Sequence, residues 1–191
     1  MNRDQIRDKK IINERPFHFL SLYRYCPLCG SSQFEVNGER SRRCHNCSFE
    51  LYQNASAAVA AFIVDEQRGL LVCRRAKEPA RGTLDLPGGF VDPDETLEQA
   101  LDRELKEELG CRPASASYLF SLPNRYEWGD IVVPTTDCFF RCTLPEGASP
   151  MANDDVEAIR WMPFSEVRPA DFGLRSVSQA VERFLSLSTT H

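Results

Sequence analysis

Glu104, Glu107 and Glu108 stand at positions i, i+3 and i+4. On an α-helix that spacing gathers three carboxylates within an arc of about 100°. Like charges so close repel one another, and an isolated helix loses stability by it. Clustered carboxylate oxygens are the ligands of hard divalent cations, Mg²⁺ or Mn²⁺, which keep waters and accept substrate phosphates. Arg103 and Lys106 flank the trio and offset part of the repulsion. A solvated acidic face is the plain alternative, and the surrounding residues must decide between them.

A second constellation is made of cysteine. Cys26-Pro-Leu-Cys29 and Cys44-His-Asn-Cys47 are two tight pairs separated by fourteen residues. Each C-x₂-C turn presents two sulfurs on one knuckle, and two knuckles make a tetrahedral thiolate cage for Zn²⁺. A closed four-sulfur cage has no open position, so its role is structural rather than catalytic. Asn37-Gly38 between the pairs signals a hairpin, and residues 23–54 read as a zinc ribbon preceded by a charged leader, 1–22. His45, between the last two ligands, is the alternative fourth donor. Cys73, Cys111, Cys138 and Cys142 show no pairing logic and read as buried small hydrophobes.

The acidic trio needs an element to carry it. Thr96-Leu97-Glu98-Gln99 matches a capping box, and Gly110 suits the left-handed position that ends a helix. The signals predict a helix over Leu97–Leu109, with Leu97, Leu101, Leu105 and Leu109 as its buried stripe. Residues 57–65, 70–75, 118–122, 131–143 and 156–161 read as strands, and 174–187 as a packing helix. That order predicts an α/β fold in which helices flank a mixed sheet. The segments Pro123–Val133 and Leu144–Asp155 are expected to be loops.

The residues around the helix complete a longer pattern. Gly89-x₅-Glu95-x₇-Arg103-Glu104-Leu105-x-Glu107-Glu108-x-Gly110-Cys111 resembles the Nudix box at every fixed position, with Cys111 as the final apolar residue. The similarity extends over about residues 57–187. It implies an α/β/α sandwich, 55–191, that hydrolyses the pyrophosphate bond of a nucleoside diphosphate linked to another moiety. By that resemblance Glu104, Glu107 and Glu108 are the Mg²⁺ or Mn²⁺ ligands, and Gly88 or Gly89 adds a backbone carbonyl. Arg103 holds the acidic cluster in register, and Glu95 supports it or joins it. The general base is left open among Glu104, Glu108 and Glu157.

The ribbon joined to the box resembles the NADH pyrophosphatase branch, and such enzymes are homodimers. Past the box, however, Ser121-Leu122-Pro123-Asn124-Arg125-Tyr126-Glu127-Trp128 shares only its serine and first proline with the NADH-reading motif. Adenine dinucleotides or ADP-linked compounds such as NAD(H) and ADP-ribose are therefore the expected substrates. Arg74, Arg75 and Arg81 are candidates to grip phosphate, and Tyr126 and Trp128 to stack on a base. The alternatives are a nucleic-acid-directed enzyme such as an NAD-cap remover, a triphosphate pyrophosphohydrolase, or a ligand sensor without catalysis.

Composition narrows these classes. The chain has 191 residues, 42% hydrophobic and 27% charged, with a net charge of −5. A pI of about 5.3 gives no global attraction for phosphate backbones, so a nucleic-acid partner is not expected. The longest apolar run, Ala57–Val64, has eight residues against the ~20 that span a bilayer. With a charged N-terminus and no signal-like apolar stretch, the expected compartment is the cytoplasm, where thiols stay reduced.

Overall fold

The computed structural model describes residues 19–128 and 131–188. Most of the leader, including Phe17 and His18, lies outside them. The described residues divide into two compact units, one holding residues 19–54 with 131–133 and the other residues 55–128 with 134–188.

The first unit holds a three-stranded antiparallel sheet: β1 (Phe34–Val36), β2 (Ser41–Cys44) and β3 (Glu50–Tyr52). β1 and β2 are joined by the expected turn, with Gly38 at φ 78°. Phe34, Cys26 and Cys44 form its small core. Leu20, in a single helical turn at Phe19–Leu22, is 1% exposed. Arg42 donates to the carbonyls of Leu20 and Phe34 and lies over the Phe34 ring.

The second unit is built on six strands: β4 (Ser56–Asp65), β5 (Gly69–Arg75), β6 (Leu84–Asp85), β7 (Ser115–Trp128), β8 (Ile131–Thr143) and β9 (Val156–Met162). The order is β6-β5-β4-β8-β7, with β9 on β5. β4 runs parallel to β8 and antiparallel to β5, so the sheet is mixed, as expected. β4 is central, and its two faces explain why Ala57–Val64 is apolar without alternation. Ala60, Phe62 and Val64 face one core, which contains α2 (Arg175–Ser188). Val59, Ala61 and Ile63 face the other, which contains α1 (Leu97–Leu109). The result is an α/β/α sandwich.

α1 has the bounds predicted from sequence. Thr96 and Gln99 make the reciprocal capping box, and Gly110 ends the helix at φ 69°. Its buried face differs from the leucine stripe. Leu97 is only half-buried, whereas Ala100 and Glu108 join Leu101, Leu105 and Leu109 inside. The expected loop at Pro123–Val133 is a second difference. β7 continues to Trp128 because Leu122, Asn124 and Tyr126 alternate inward along an edge strand, where proline is tolerated.

Candidate active site and metal centres

The helix that carries the glutamates is locked beneath a glycine turn. Ala61 N–H donates to Pro87 O, Val59 to Gly89 O, and Val91 to Ala57 O, so residues 87–91 lie along β4. Gly88, at φ 143°, could carry no side chain, since a Cβ would meet Val59 O at 2.1 Å. A Cβ on Gly89 would fall 2.4 Å from Glu104 Oε1. The two glycines thus bring bare backbone against the helix carboxylates. Gly88 N–H donates to Glu108 Oε2 at 2.9 Å. Of the two candidate carbonyls, that of Gly89 is already engaged by Val59.

Arg103 organises the carboxylates. Its Nε and Nη2 donate to the two oxygens of Glu95 at 2.8 and 2.9 Å, a bidentate pair. Nη1 donates to Glu104 at 2.7 Å and Glu107 at 3.2 Å, and Nη2 also reaches Phe90 O. This one cation touches three of the four box glutamates, Glu108 being the exception. Arg103 holds the Glu95 carboxyl below its ordinary range. Glu104 moves the other way, because burial outweighs the Arg103 contact. Glu108 is 8% exposed, and burial, reinforced by Glu104, Asp85 and Asp155, pushes its carboxyl up to about 8.

Glu104, Glu107, Glu108, Gly88 and Gly89 all line a cavity of about 330 Å³. Eight carboxylates border it, those of Asp85, Asp92, Glu104, Glu107, Glu108, Asp137, Asp154 and Asp155. Only three cations do, Arg74, Arg75 and Lys77. Arg75 is committed to Asp85 and to Pro79 O, and Lys77 to Asp155. A polyanionic substrate entering alone would be repelled. The donor set, oxygen throughout and rich in negative charge, suits hard divalent cations.

The remaining sequence candidates separate. Tyr126 lines the cavity and meets Phe90 edge-on, ring centroids 5.4 Å apart. Arg75 lines it too, but as part of an ion pair rather than as a free phosphate grip. Arg81 is not among the lining residues, nor is Glu157, which is exposed on β9. The Trp128 side chain lies outside the described residues. Arg125 is exposed on the face of β7 opposite Tyr126. Asp154 and Asp155, before β9, were not singled out from sequence. Their only signal is an acidic pair in a loop, and it is the fold that sets them facing Glu104 and Glu108.

In the ribbon, Cys26, Cys29, Cys44 and Cys47 place their sulfurs within 4.8 Å of one another. Cys26–Cys47 and Cys29–Cys44 are each 3.6 Å apart. Zn–S bonds of about 2.3 Å set tetrahedral sulfurs about 3.8 Å apart, so the cage fits Zn²⁺. Each knuckle ends in a left-handed residue, Gly30 at φ 74° and Ser48 at φ 63°. Gly30 and Ser48 N–H return to the carbonyls of Cys26 and Cys44. Hydrogen bonds from the Ser31 backbone and the Asn46 side chain hold the Cys29 thiol below its ordinary range, whereas desolvation and the neighbouring thiols raise that of Cys47. His45 points to Glu35, 3.3 Å away, and takes no part. The other four cysteines lie in or against the α1-side core, and burial raises their thiols, Cys142 to about 12.

Comparison with known proteins agrees with both halves. Residues 55–181 match the family described as NUDIX domain, and residues 21–52 match the NADH pyrophosphatase zinc ribbon domain. A protein of Deinococcus radiodurans named NAD-capped RNA hydrolase NudC is 32% identical over 110 residues, 55% of this chain and 38% of its own length. An ADP-ribose pyrophosphatase of Methanocaldococcus jannaschii is 37% identical over 86 residues, 44% of this chain and 50% of its own. The chain thus spans half or less of these two relatives. The crystal structure of a NUDIX hydrolase from Nitrosomonas europaea superposes with a TM-score of 0.65 at 23% identity, covering 85% of this chain and 90% of that one.

Proposed function

The chain belongs to the NUDIX domain family, and we propose on that premise that it is a divalent-metal-dependent pyrophosphohydrolase. Its substrate would be a nucleoside diphosphate linked to another moiety, NAD(H), ADP-ribose or a similar adenine compound. Its product would be a nucleoside monophosphate. The observation that carries the reading is the charge of the cavity. Glu104, Glu107 and Glu108 sit in a wall of eight carboxylates, with two of three cations already paired. Such a wall rejects a bare diphosphate and accepts one that arrives with Mg²⁺ or Mn²⁺.

Held by Glu104, Glu107 and Glu108, such a cation would neutralise the diphosphate and lower the pKa of a water. The chain's own residues do the rest. Arg103 fixes Glu104 and Glu107 through its guanidinium, while Glu95 fixes Arg103. Gly88 N–H orients Glu108. Asp154 and Asp155 join Glu104 and Glu108 as candidates to take the water's proton, since all four border the cavity and Glu157 does not. Residues 23–54 serve as a structural zinc unit and 55–191 as the hydrolase. A homodimer and a cytoplasmic location belong to the same reading; light scattering at twice the 21.7 kDa chain mass tests the first.

A panel of NADH, NAD, ADP-ribose and dNTPs, each with Mg²⁺ and with Mn²⁺, tests the function. Monophosphate release from the adenine dinucleotides or ADP-ribose supports it; no turnover with either metal removes it. The Deinococcus relative's name favours one second reading, removal of an NAD cap from RNA. A kcat/KM for NAD-capped RNA far above that for free NAD selects it.

A further inference from the structure

One buried carboxylate in the cavity is unused by this chemistry. Asp137, on β8, is 8% exposed yet lines the cavity. Thr135 Oγ donates to one of its oxygens at 2.6 Å and Ser176 Oγ to the other at 2.5 Å. Both hydroxyl residues are themselves buried, at 3% and 0% exposure. Among the described residues no lysine or arginine pairs with Asp137. Asp85 differs, for Arg75 and the Leu86 amide occupy its two oxygens. Each Asp137 oxygen retains acceptor capacity after its hydroxyl bond. A buried acceptor held rigid and left partly open is matched to a donor that arrives with a ligand.

The surroundings define the ligand's shape. Ala58 on β4 stands directly opposite Asp137, and Ala60 opposite Phe139. Two alanines on the central strand leave space where larger residues would fill it. Leu86, Phe139, Leu174 and Val177 supply apolar lining. A slot with apolar walls and one carboxylate acceptor suits a flat heteroaromatic ring that bears an amino group.

We propose that Asp137 is a specificity-determining residue that accepts a hydrogen bond from the exocyclic amine of the substrate's nucleobase, with Thr135 and Ser176 holding it in place. The proposal rests on the pyrophosphohydrolase reading, and it names the end of the cavity that receives the base. The amine of adenine would donate to Asp137. Hypoxanthine carries a carbonyl at the same position, which sets acceptor against acceptor.

The test is kcat/KM for ADP-ribose and for its hypoxanthine counterpart with Mn²⁺, in wild type, Asp137→Asn and Ser176→Ala. The two substrates share ribose and diphosphate, so loss of folded protein lowers both rates equally and leaves their ratio unchanged. Wild type should prefer ADP-ribose by about 10- to 100-fold, the range for a hydrogen bond to a charged group. Asp137→Asn, whose amide can donate to the carbonyl, should abolish or invert that preference. Ser176→Ala, which frees one oxygen, should reduce it several-fold and covers the case in which Asp137→Asn does not fold. Equal wild-type rates, or an unchanged ratio in the variants that fold, overturns the assignment of Asp137 while leaving the hydrolase reading intact. No hydrolysis of either substrate by wild type would instead remove the hydrolase reading itself.

Discussion

The ribbon and the cavity both concentrate ligand atoms, and they do so in opposite ways. Four sulfurs crowd within 4.8 Å of one another around a point that needs no further ligand. The glutamates of α1 are instead each held by another group, Glu104 and Glu107 by Arg103 of the same helix and Glu108 by Gly88. Among the described residues only the cysteines bring three or more such atoms within 4.8 Å. On the proposed reading one centre is closed and serves the fold, while the other is open and leaves room for water and phosphate. The difference lies in residue chemistry. Soft thiolates on two-residue knuckles satisfy zinc completely, whereas carboxylates on a rigid helix offer a hard cation part of its shell.

The contrast breaks most visibly at Glu107. It is exposed enough that Glu107→Gln should leave the melting temperature nearly unchanged, while kcat falls by about 10²–10⁴. Steady-state turnover of ADP-ribose with Mn²⁺ reads the effect; near-wild-type turnover would show that the open centre does not act through α1.

Cys44→Ser should do the reverse. Zinc binding supplies much of a small ribbon's folding free energy, so calorimetry should show the loss of the ribbon's transition. The turnover of the folded remainder should stay within a few-fold of wild type.

A third expectation concerns Glu108 and pH. Its folded-state carboxyl titrates near 8, above the ordinary glutamate value. Metal-free protein is therefore most stable where Glu108 is protonated, below about 4–5 as far as this group is concerned. That contribution is lost as pH rises toward 8. Divalent metal, which binds the ionised form, should restore it. Thermal melts from pH 5 to 8 with and without Mn²⁺ should diverge progressively as pH rises; parallel curves would show that Glu108 does not couple to metal.

The smallest effect is expected at Glu157, exposed on β9 outside the cavity. Glu157→Gln should leave kcat within about two-fold, whereas loss of a cavity-lining carboxylate at Asp154 or Asp155 should lower it by at least ten-fold.

What could be read from sequence follows the range of the interactions. α1 and its caps rest on contacts a few residues apart and each cysteine knuckle on a two-residue spacing, so the helix bounds and the four-cysteine cluster were legible. The burial of Glu108 was not, because it depends on the Gly88 turn twenty residues earlier in the chain. Tyr126 is on a strand rather than a loop because its alternation serves a sheet whose pairing is long-range. Arg75 and Arg81 were equivalent as arginines; only the fold gives one to Asp85 and leaves the other outside the cavity. Asp137 was invisible for the same reason, since its partner Ser176 is thirty-nine residues away.

One measurement addresses the two centres together. Dialysis against EDTA under mild, reducing conditions, followed by zinc analysis and an ADP-ribose assay, should leave one zinc per chain and abolish turnover. Added Mn²⁺ or Mg²⁺ should then restore turnover without changing the zinc content. Turnover that survives dialysis undiminished, or that returns only when zinc is resupplied, would contradict a closed structural centre beside an open catalytic one.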